Sequence, residues 1–335
     1  MPKRYWRPII ADPFSDKNQG LALAGGGAKF STCERISRDE VSEIVSISKI
    51  PDDVLESLTK PRADIAGQSL SDPKVMGILN VTPDSFSDGG ENEGFEAAVQ
   101  SSIKMKKEGA DIIDIGGEST RPGADFVKSD QEMERTIPVI KHLIASQFSA
   151  LISIDTRKAD VAQAALKEGA VLFNDVTALS FDPDSLEVAK SSDAYVCLMH
   201  ASGDPKTMQL NPVYDNVVLD VYDYLRKRRN TAIDAGIAPE RIILDPGIGF
   251  GKTTEHNIAL IQGLSTFHGL GCPILLGASR KRLIGELTGE MDAQNRLGGS
   301  LAIALEGIRQ GVQIVRVHDV AQTKQAMTMW GHIRG

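Results

Sequence analysis

The chain has 335 residues, of which 41% are hydrophobic and 24% charged, and its 45 acidic against 37 basic side chains give a net charge of −8. This length excludes a single small module and allows two ordinary domains or one large barrel with an appendage, while the composition excludes wholesale disorder. The negative charge is the wrong sign for a protein that binds nucleic acid or an anionic membrane.

The sequence also lacks the segments that direct a protein into or across a membrane. It has no run of about 20 apolar residues, the length that spans a bilayer. Residues 1–7, Met-Pro-Lys-Arg-Tyr-Trp-Arg, lack the apolar stretch of a secretory signal. We therefore expect a cytoplasmic protein without a membrane partner.

Residues 1–70 differ from the rest of the chain, because glycine, proline and charged residues are interspersed there and periodicity is weak. Gly25-Gly26-Gly27 is not a phosphate-binding fingerprint, since no helical pattern follows it directly. We predict an N-terminal extension of unknown role over residues 1–70, followed by a second unit over residues 71–335.

In this second unit, short apolar runs alternate with longer stretches of helical period, which is typical of a parallel sheet wrapped by helices. The apolar runs are Val75–Leu79, Asp111–Ile115, Leu151–Ile154, Val171–Phe173, Ala194–Met199, Arg241–Leu244, Pro273–Leu276 and Val312–Val315. The amphipathic stretches include Phe95–Glu108, Lys158–Glu168, Asn216–Ala235 and Asn295–Arg309. Eight such pairs predict an α/β fold, a (β/α)8 TIM barrel, with an open doubly wound sheet as the alternative.

Polar side chains follow directly on most of the apolar runs. They are Asn80, Asp155, Asn174 with Asp175, His200, Asp245, and Arg316 with His318. A barrel gathers the carboxyl ends of its strands around one mouth, where these groups would form a single pocket. An open sheet would spread them along an edge. The alternative without any binding site is that strands end in polar residues because loops begin there.

Two loops of this unit have a composition suited to a binding site. Residues 80–90 are rich in Pro, Gly and Ser, as expected of a loop that can close over substrate. In residues 116–123, glycines permit close backbone approach and Pro122 stiffens the segment behind Arg121, which would present a cation to an anion.

The residue types at the strand ends leave the chemistry open. Asp155 and Asp245 could bind a metal, act as acid and base, or accept paired N–H donors from a flat heterocycle. Asn174 adds a donor and an acceptor, and Lys281 adds a point charge. This set suits a ring with both donor and acceptor edges. Arg316 and His318, which share a strand face, could form an anion site with Asn80 and Arg121.

The glycine-rich segment from Gly247 to Thr253 invites comparison with a P-loop. The first glycine of that motif would fall at Pro246, which disfavours a Walker nucleotidase. The segment is then a glycine-rich turn after Asp245.

Taken together, seven segments closely resemble the dihydropteroate synthases of the folate pathway. They are Met76–Gly90, Asp111–Gly123, Ser153–Thr156, Asn174–Val176, Asp245–Lys252, Gly277–Lys281 and Arg316–Val320. The resemblance implies a TIM barrel that condenses hydroxymethyl-dihydropterin pyrophosphate with para-aminobenzoate and releases pyrophosphate. It also implies magnesium (Mg2+) and a cytoplasmic homodimer.

The resemblance assigns roles residue by residue. It implies a pterin-binding set of Asp155, Asn174, Asp245 and Lys281, and a diphosphate set of Asn80, Thr120, Arg316 and His318, in which Asn80 also contacts magnesium. It implies that Arg121, Pro122 and Phe86 complete the aminobenzoate pocket, that Asp88 lies near developing positive charge, and that Met199 and Phe250 line the pocket. The catalytic residues would be Asp88, Arg121 and Lys281.

Two positions depart from the family pattern. Arg282 follows Lys281 where the family usually has a serine close to the aminobenzoate carboxylate, and we expect Arg282 to supply charge in its place. Asp204 stands where threonine is frequent.

Two other functions remain as alternatives to the synthase. One is a pterin-binding methyltransferase that uses methyltetrahydrofolate, which would not need the diphosphate set, and the other is a barrel that binds pterin without turnover.

Overall fold

The computed structural model describes residues 3–12, 20–81, 91–119, 124–203 and 212–334. The first of its two sheets is small and antiparallel and is built from β1 (Tyr5–Ile10), β2 (Leu21–Ala22), β3 (Lys29–Ile36) and β4 (Glu43–Ser46). β3 pairs with the other three strands. Helix α1 (Asp52–Thr59) follows, and a separate apolar core forms from Trp6, Leu23, Ala24, Phe30, Cys33, Val45, Ile50 and Leu58.

The second sheet has eight parallel strands. They are β5 (Lys74–Asn80), β6 (Ile112–Gly116), β7 (Leu151–Asp155), β8 (Leu172–Asp175), β9 (Tyr195–Met199), β10 (Ile242–Asp245), β11 (Leu275–Leu276) and β12 (Ile314–Val317). The last strand, β12, pairs with the first, β5. A parallel bridge between Leu244 and Ile274 joins β10 to the segment that enters β11. The predicted TIM barrel is therefore confirmed, and the open sheet is excluded.

Helices surround the barrel. They are α2 (Glu91–Lys107), α3 (Ser129–Ala145), α4 (Ala159–Lys167), α5 (Ser185–Ser191), α6 (Val217–Asp234), α7 (Thr254–Gln262), α8 (Arg282–Thr288), α9 (Leu297–Arg309) and α10 (Val320–Arg334). The four helical stretches expected from the sequence correspond to α2, α4, α6 and α9. Over the part of the chain that is described, none of the helices is both long and apolar enough to cross a membrane.

An apolar layer fills the barrel interior near the amino ends of the strands. It consists of Met76, Ile112, Leu172, Cys197, Ile243, Leu275 and Ile314, with Ile65 and Leu70 packed against them from the segment before β5. Interior side chains of such barrels form packed layers rather than a pore. The barrel is therefore closed at this end.

The antiparallel sheet and α1 dock beside this closed end. The Tyr195 hydroxyl, at the first residue of β9, donates to the carbonyl of Asp64 at 3.1 Å and accepts from the N–H of Ala66 at 3.0 Å. The Arg62 guanidinium donates to the carbonyl of His268 at 3.0 Å, within a 3₁₀ helix at Leu264–Leu270. The N-terminal segment therefore lies away from the carboxyl ends of the strands.

Candidate active site

A layer of functional side chains lies directly above the apolar layer of the barrel. Alternate residues of a strand point to the same face, so the residue two positions after each apolar interior residue also points inward. Six of these following residues are Asp114, Asn174, Met199, Asp245, Gly277 and Arg316. On β7, which lacks a fully buried member of the apolar layer, Asp155 is the last residue. Strand alternation alone thus brings the site together at the barrel mouth.

The Arg316 guanidinium lies between two carboxylates. Its Nε donates to Asp114 Oδ2 and its Nη2 to Asp155 Oδ2, both at 2.6 Å. The Asn174 amide also donates to Asp114 Oδ2, at 3.0 Å. The second oxygen of each carboxylate, Asp114 Oδ1 and Asp155 Oδ1, is buried and has no hydrogen-bond partner among the residues that the structure describes. Two acceptors are therefore held in place for donors that the described residues do not supply.

Burial dominates the electrostatics of this cluster. It raises the pKa of Asp155 to about 7, against the Arg316 charge and with the help of the Asp114 carboxylate. For Arg316, burial works to lower the pKa, but the carboxylates of Asp114 and Asp155 raise it above its usual range. The guanidinium is thus permanently charged, whereas Asp155 can exchange a proton near neutral pH.

Asp245 and Lys281 form a second pair of opposite charges at the mouth. Asp245 Oδ1 accepts from the N–H of Gly247 at 2.7 Å. Lys281 Nζ donates to the carbonyl of Ile248 and lies 4.4 Å from the centroid of the Phe250 ring. Burial lowers the pKa of Lys281 to about 8 against the attraction of Asp245, and burial raises the pKa of Asp245 against the Lys281 charge. Each group carries a charge that the other partly compensates.

His318 lies just beyond the end of β12 and is held by Ser279. The Ser279 hydroxyl lies 3.2 Å from the His318 backbone nitrogen and 3.1 Å from Nδ1 of the ring. The backbone N–H donates to the hydroxyl, so the Ser279 proton can be donated to Nδ1. Nδ1 would then carry no proton, which leaves Nε2–H as the donor that His318 can offer to an anion.

Strand register connects Asn80 to this layer. Asn80, the last residue of β5, is paired with Gly116, and Gly116 is paired with Asp155. Asp155 is in turn paired with Asn174 on β8. Met199, the last residue of β9, is buried and paired with Asp245. Asn80, Asp155 and Asn174 are therefore joined by one line of register, which continues to Cys197, and Met199 and Asp245 lie two residues further toward the mouth.

Five of the site residues expected from the sequence lie outside the described residues. They are Phe86, Asp88, Thr120, Arg121 and Pro122. Asp204 also lies outside them. The roles assigned to these residues stay predictions. Of the remaining site residues, Asn80, Asp155, Asn174, Met199, Asp245, Phe250, Lys281, Arg316 and His318 all belong to the carboxyl ends of the strands or to the loops that follow them.

Sequence reasoning missed Asp114, which contacts both Arg316 and Asn174. It lies inside an apolar run, two positions after Ile112, and its signal is the strand alternation that turns it inward.

A buried ion cluster around Glu118 was missed as well. Glu118 accepts from Lys158 at 2.8 Å and from Arg157 at 3.2 Å, and its carboxylate also accepts the backbone N–H of Val127 at 3.1 Å. Glu118 therefore joins the described segments on either side of residues 120–123.

Comparison with known proteins identifies the class of enzyme. The family model described as pterin binding enzyme matches residues 76–318. The dihydropteroate synthase of Neisseria meningitidis serogroup B is 49% identical over 267 residues, which cover 78% of this chain and 93% of that protein. The Escherichia coli K12 dihydropteroate synthase is 48% identical over 258 residues, with 77% of this chain and 90% of that protein covered.

Solved structures agree with these relatives. Xanthomonas albilineans dihydropteroate synthase with 4-aminobenzoic acid superposes with a TM-score of 0.77 at 46% identity, covering 82% of this chain and 98% of that one. The same organism's enzyme in complex with 7,8-dihydropteroate gives a TM-score of 0.74 at 43% identity, covering 82% and 99%. The chain therefore belongs to the pterin binding enzymes and, within them, to the dihydropteroate synthase family of transferases.

Proposed function

We propose that this site condenses hydroxymethyl-dihydropterin pyrophosphate with para-aminobenzoate to give dihydropteroate and pyrophosphate. The observation that carries the proposal is a pair of buried carboxylate oxygens, of Asp114 and Asp155, that no other described residue contacts with a hydrogen bond, beside the charged pair Asp245 and Lys281. Solved relatives that hold 4-aminobenzoic acid and 7,8-dihydropteroate support it, because these are one substrate and the product of that reaction.

The ring-binding step uses these unsatisfied acceptors together with the carboxylate of Asp245. A buried acceptor without a donor is unfavourable by about 1–3 kcal/mol. The amino-pyrimidine edge of a pterin offers adjacent N–H donors, which a carboxylate can accept in pairs. Asp245 would receive the amino-pyrimidine edge, while Lys281 would donate to an acceptor of the ring. Asp155 and Asn174 would complete this set, with Arg316 fixing the orientation of Asp155.

The chemical step is the departure of pyrophosphate. The bond between the exocyclic methylene carbon and the diphosphate oxygen breaks, and both electrons leave with the oxygen. The dihydropterin ring delocalises the resulting cation. The aniline nitrogen of aminobenzoate then forms the new C–N bond and loses a proton. The largest task of the protein is to stabilise the leaving anion, for which we assign Asn80, Arg316 and His318, together with Thr120.

The residues near the predicted mouth loops complete the reaction. Arg121, Pro122 and Phe86 would bound the aminobenzoate pocket, and Asp88 would face the developing positive charge. Met199 and Phe250 would pack on the flat faces of the substrates. Exclusion of water by these groups protects the cation, which water would otherwise capture.

The donor set at the mouth fits magnesium that arrives with the substrate. No group of three or more His, Cys, Asp or Glu side chains suited to a metal occurs within the described ranges. Magnesium is commonly bound through one or two protein oxygens together with substrate phosphates and water. The Asn80 amide oxygen could hold it in that way. Magnesium would supply charge neutralisation on the departing diphosphate.

We also infer a homodimer. Large apolar side chains are exposed on or beside the last helices of the barrel, namely Leu287, Met291, Met329 and Ile333. Where such side chains form one contiguous patch, the surface marks a contact site between proteins. Sedimentation of the purified chain would report its mass, and a monomer at micromolar concentration would contradict the inference. The cytoplasmic location expected from the sequence stays a prediction.

Pyrophosphate release tests the function. Purified full-length chain is given the pterin diphosphate with and without aminobenzoate, and with and without magnesium. We expect release that depends on magnesium, and dihydropteroate in equal amount when aminobenzoate is present. Tight pterin binding without release in either case would contradict the proposal and would point to a binding protein.

A further inference from the structure

Lys252 closes the glycine-rich turn that follows β10, although it belongs to no part of the ring-binding set described above. Its side chain is buried, with 3% of the residue exposed. The ammonium donates to the carbonyls of Gly247 at 2.8 Å and Phe250 at 3.0 Å. It therefore binds the turn from inside, at two residues of its own segment.

The same ammonium reaches the loop that follows β9. Lys252 Nζ lies 2.9 Å from His200 Nδ1 and 3.3 Å from the His200 carbonyl oxygen. An ammonium has three protons, and the three shortest contacts use all of them. One cation thus joins two separate loops at the barrel mouth.

The state of His200 agrees with this arrangement. Burial, together with the Lys252 charge, lowers the pKa of His200 to about 3. The imidazole is therefore neutral and Nδ1 can accept a proton from Lys252. Burial also lowers the pKa of Lys252 well below its usual range, and the Asp245 carboxylate opposes that change.

The residues that Lys252 holds are those that orient the ring-binding groups. Gly247, whose carbonyl it binds, donates its N–H to Asp245 Oδ1 at 2.7 Å. Phe250, whose carbonyl it also binds, carries the ring that lies under Lys281 Nζ. The turn has little freedom elsewhere, since a Cβ at Gly247 would lie 1.9 Å from the His200 carbonyl oxygen.

We propose that Lys252 is a positioning residue for the proposed pterin site, and that its ammonium holds the turn in the conformation that orients Asp245 and Lys281 toward the ring. The inference rests on the proposed function for the identity of the ligand. It adds a role for the lysine of the glycine-rich segment that comparison with a P-loop left without one. Lys252 itself acts through Gly247 and Phe250.

The test compares Lys252→Met with the wild-type chain, using hydroxymethylpterin without a diphosphate as the probe. Methionine keeps a long apolar side chain and removes the donors. We expect calorimetry to show pterin binding at least about tenfold weaker. The acid limb of the pH profile of binding should also move to higher pH, because the N–H of Gly247, which lowers the pKa of Asp245, is no longer held against that carboxylate.

A neighbouring substitution separates positioning from stability. The Thr253 side chain accepts from the backbone N–H of His256 at 3.2 Å and caps α7. We expect Thr253→Ala to lower Tm, since it removes a helix cap, while the pterin Kd and the acid limb stay as in the wild type. If Lys252→Met bound pterin weakly only because the fold is less stable, Thr253→Ala with a similar loss of Tm would bind pterin just as weakly. Weak binding in Lys252→Met alone therefore indicates positioning.

Pterin binding by Lys252→Met within twofold of the wild type would overturn the inference. If Lys252→Met does not fold, Lys252→Arg carries the test, because a planar guanidinium keeps the charge but does not fit the acceptors of an ammonium. Affinity equal to the wild type in that variant would overturn it. A wild-type chain that binds pterin without releasing pyrophosphate would contradict the proposed function alone, and the comparison of affinities would still stand.

Discussion

Arg316 and Asp155 are 161 positions apart in the chain, yet the guanidinium Nη2 of one lies 2.6 Å from Oδ2 of the other. They lie on β12 and β7, which are separated by β5 and β6 in the order of the sheet. Their bond therefore crosses the barrel interior, and with the bond from Arg316 to Asp114 it connects three strands through side chains alone.

Replacement of Arg316 by methionine should destabilise the fold as well as the site. Two buried carboxylates would lose their counter-ion, and breaking a buried pair in this way costs about 3–5 kcal/mol. Urea unfolding at about pH 8 should show a loss of this order in the free energy of unfolding, and the loss should shrink at about pH 5, where Asp155, whose pKa is raised to about 7, is protonated.

The control for that experiment is Arg282→Met. Arg282 is 83% exposed in its side chain and pairs with Glu286 at 2.6 Å, so its removal should change stability by about 1 kcal/mol or less. Equal losses for the two variants would mean that the Arg316 cluster does not hold the strands together.

Because of Lys281, the pH profile of kcat/KM should fall on its alkaline side. Its pKa is lowered to about 8, chiefly by burial, so kcat/KM for the pterin diphosphate should fall as the pH rises through about 8 and the ammonium loses its charge. Lys281→Arg should move this limb to higher pH, because a guanidinium stays protonated. A limb at the same pH in both enzymes would assign it to another group.

The free energy of unfolding should rise with pH over the range in which kcat/KM falls. The pKa of Lys281 is lower in the folded chain than the ordinary value of 10.5, so the folded state binds fewer protons between these values. The contribution of Lys281 to stability therefore becomes more favourable as the pH rises from about 8 toward 10.5. Denaturation of the wild type and Lys281→Met across this window would reveal the difference.

Gly247→Ala should disrupt the pterin site. Gly247 has φ +69°, and an added Cβ would lie 1.9 Å from the His200 carbonyl oxygen, so the two loops must separate. We expect loss of most pterin binding in a calorimetric titration. Gly271→Ala is the matched control, because Gly271 has φ +74° but no atom within 4 Å of its Cβ.

The control should lose only about 1–2 kcal/mol from the left-handed conformation and should bind pterin as the wild type does. If Gly247→Ala binds equally well, close contact between the two loops is not required.

Arg282 remains the residue expected to bind the carboxylate of aminobenzoate. It is exposed, and the pair with Glu286 lies one turn along α8. Arg282→Ala should raise KM for aminobenzoate severalfold with little change in Tm, since exposed pairs contribute about 0–1 kcal/mol. Glu286→Gln removes the ion pair but leaves the cation, so its KM should not rise. A wild-type KM in Arg282→Ala would remove this role.

The barrel could be predicted from the sequence because its strands are buried on both faces and read as continuous apolar runs. Even β11, which has only two paired residues, lies within a predicted run, Pro273–Leu276. The antiparallel sheet was not predicted. Its β2 has two residues, both exposed, and β4 has one buried residue, Val45, so neither produces a period that sequence reasoning could detect.

The residues of the site also fall into those that the sequence could predict and those that it could not. Asp155, Asn174 and Asp245 could be identified because each ends an apolar run. Asp114 was missed because it lies within such a run: strand alternation indicates that it points inward, but its partners Arg316 and Asn174 are brought to it only by the folded sheet. Lys252 was a different case, since its partners are mainly backbone carbonyls, which every residue carries and no sequence pattern distinguishes.

The apolar layer that includes Ile65 and Leu70 affects how Asp155 exchanges protons with bulk water. Because it fills the barrel interior below Asp155, the route from this carboxyl to bulk water that the described residues leave open runs through the mouth. A ligand that fills the mouth would then isolate this carboxyl from bulk water, so its protonation at the moment of binding would be kept until product leaves.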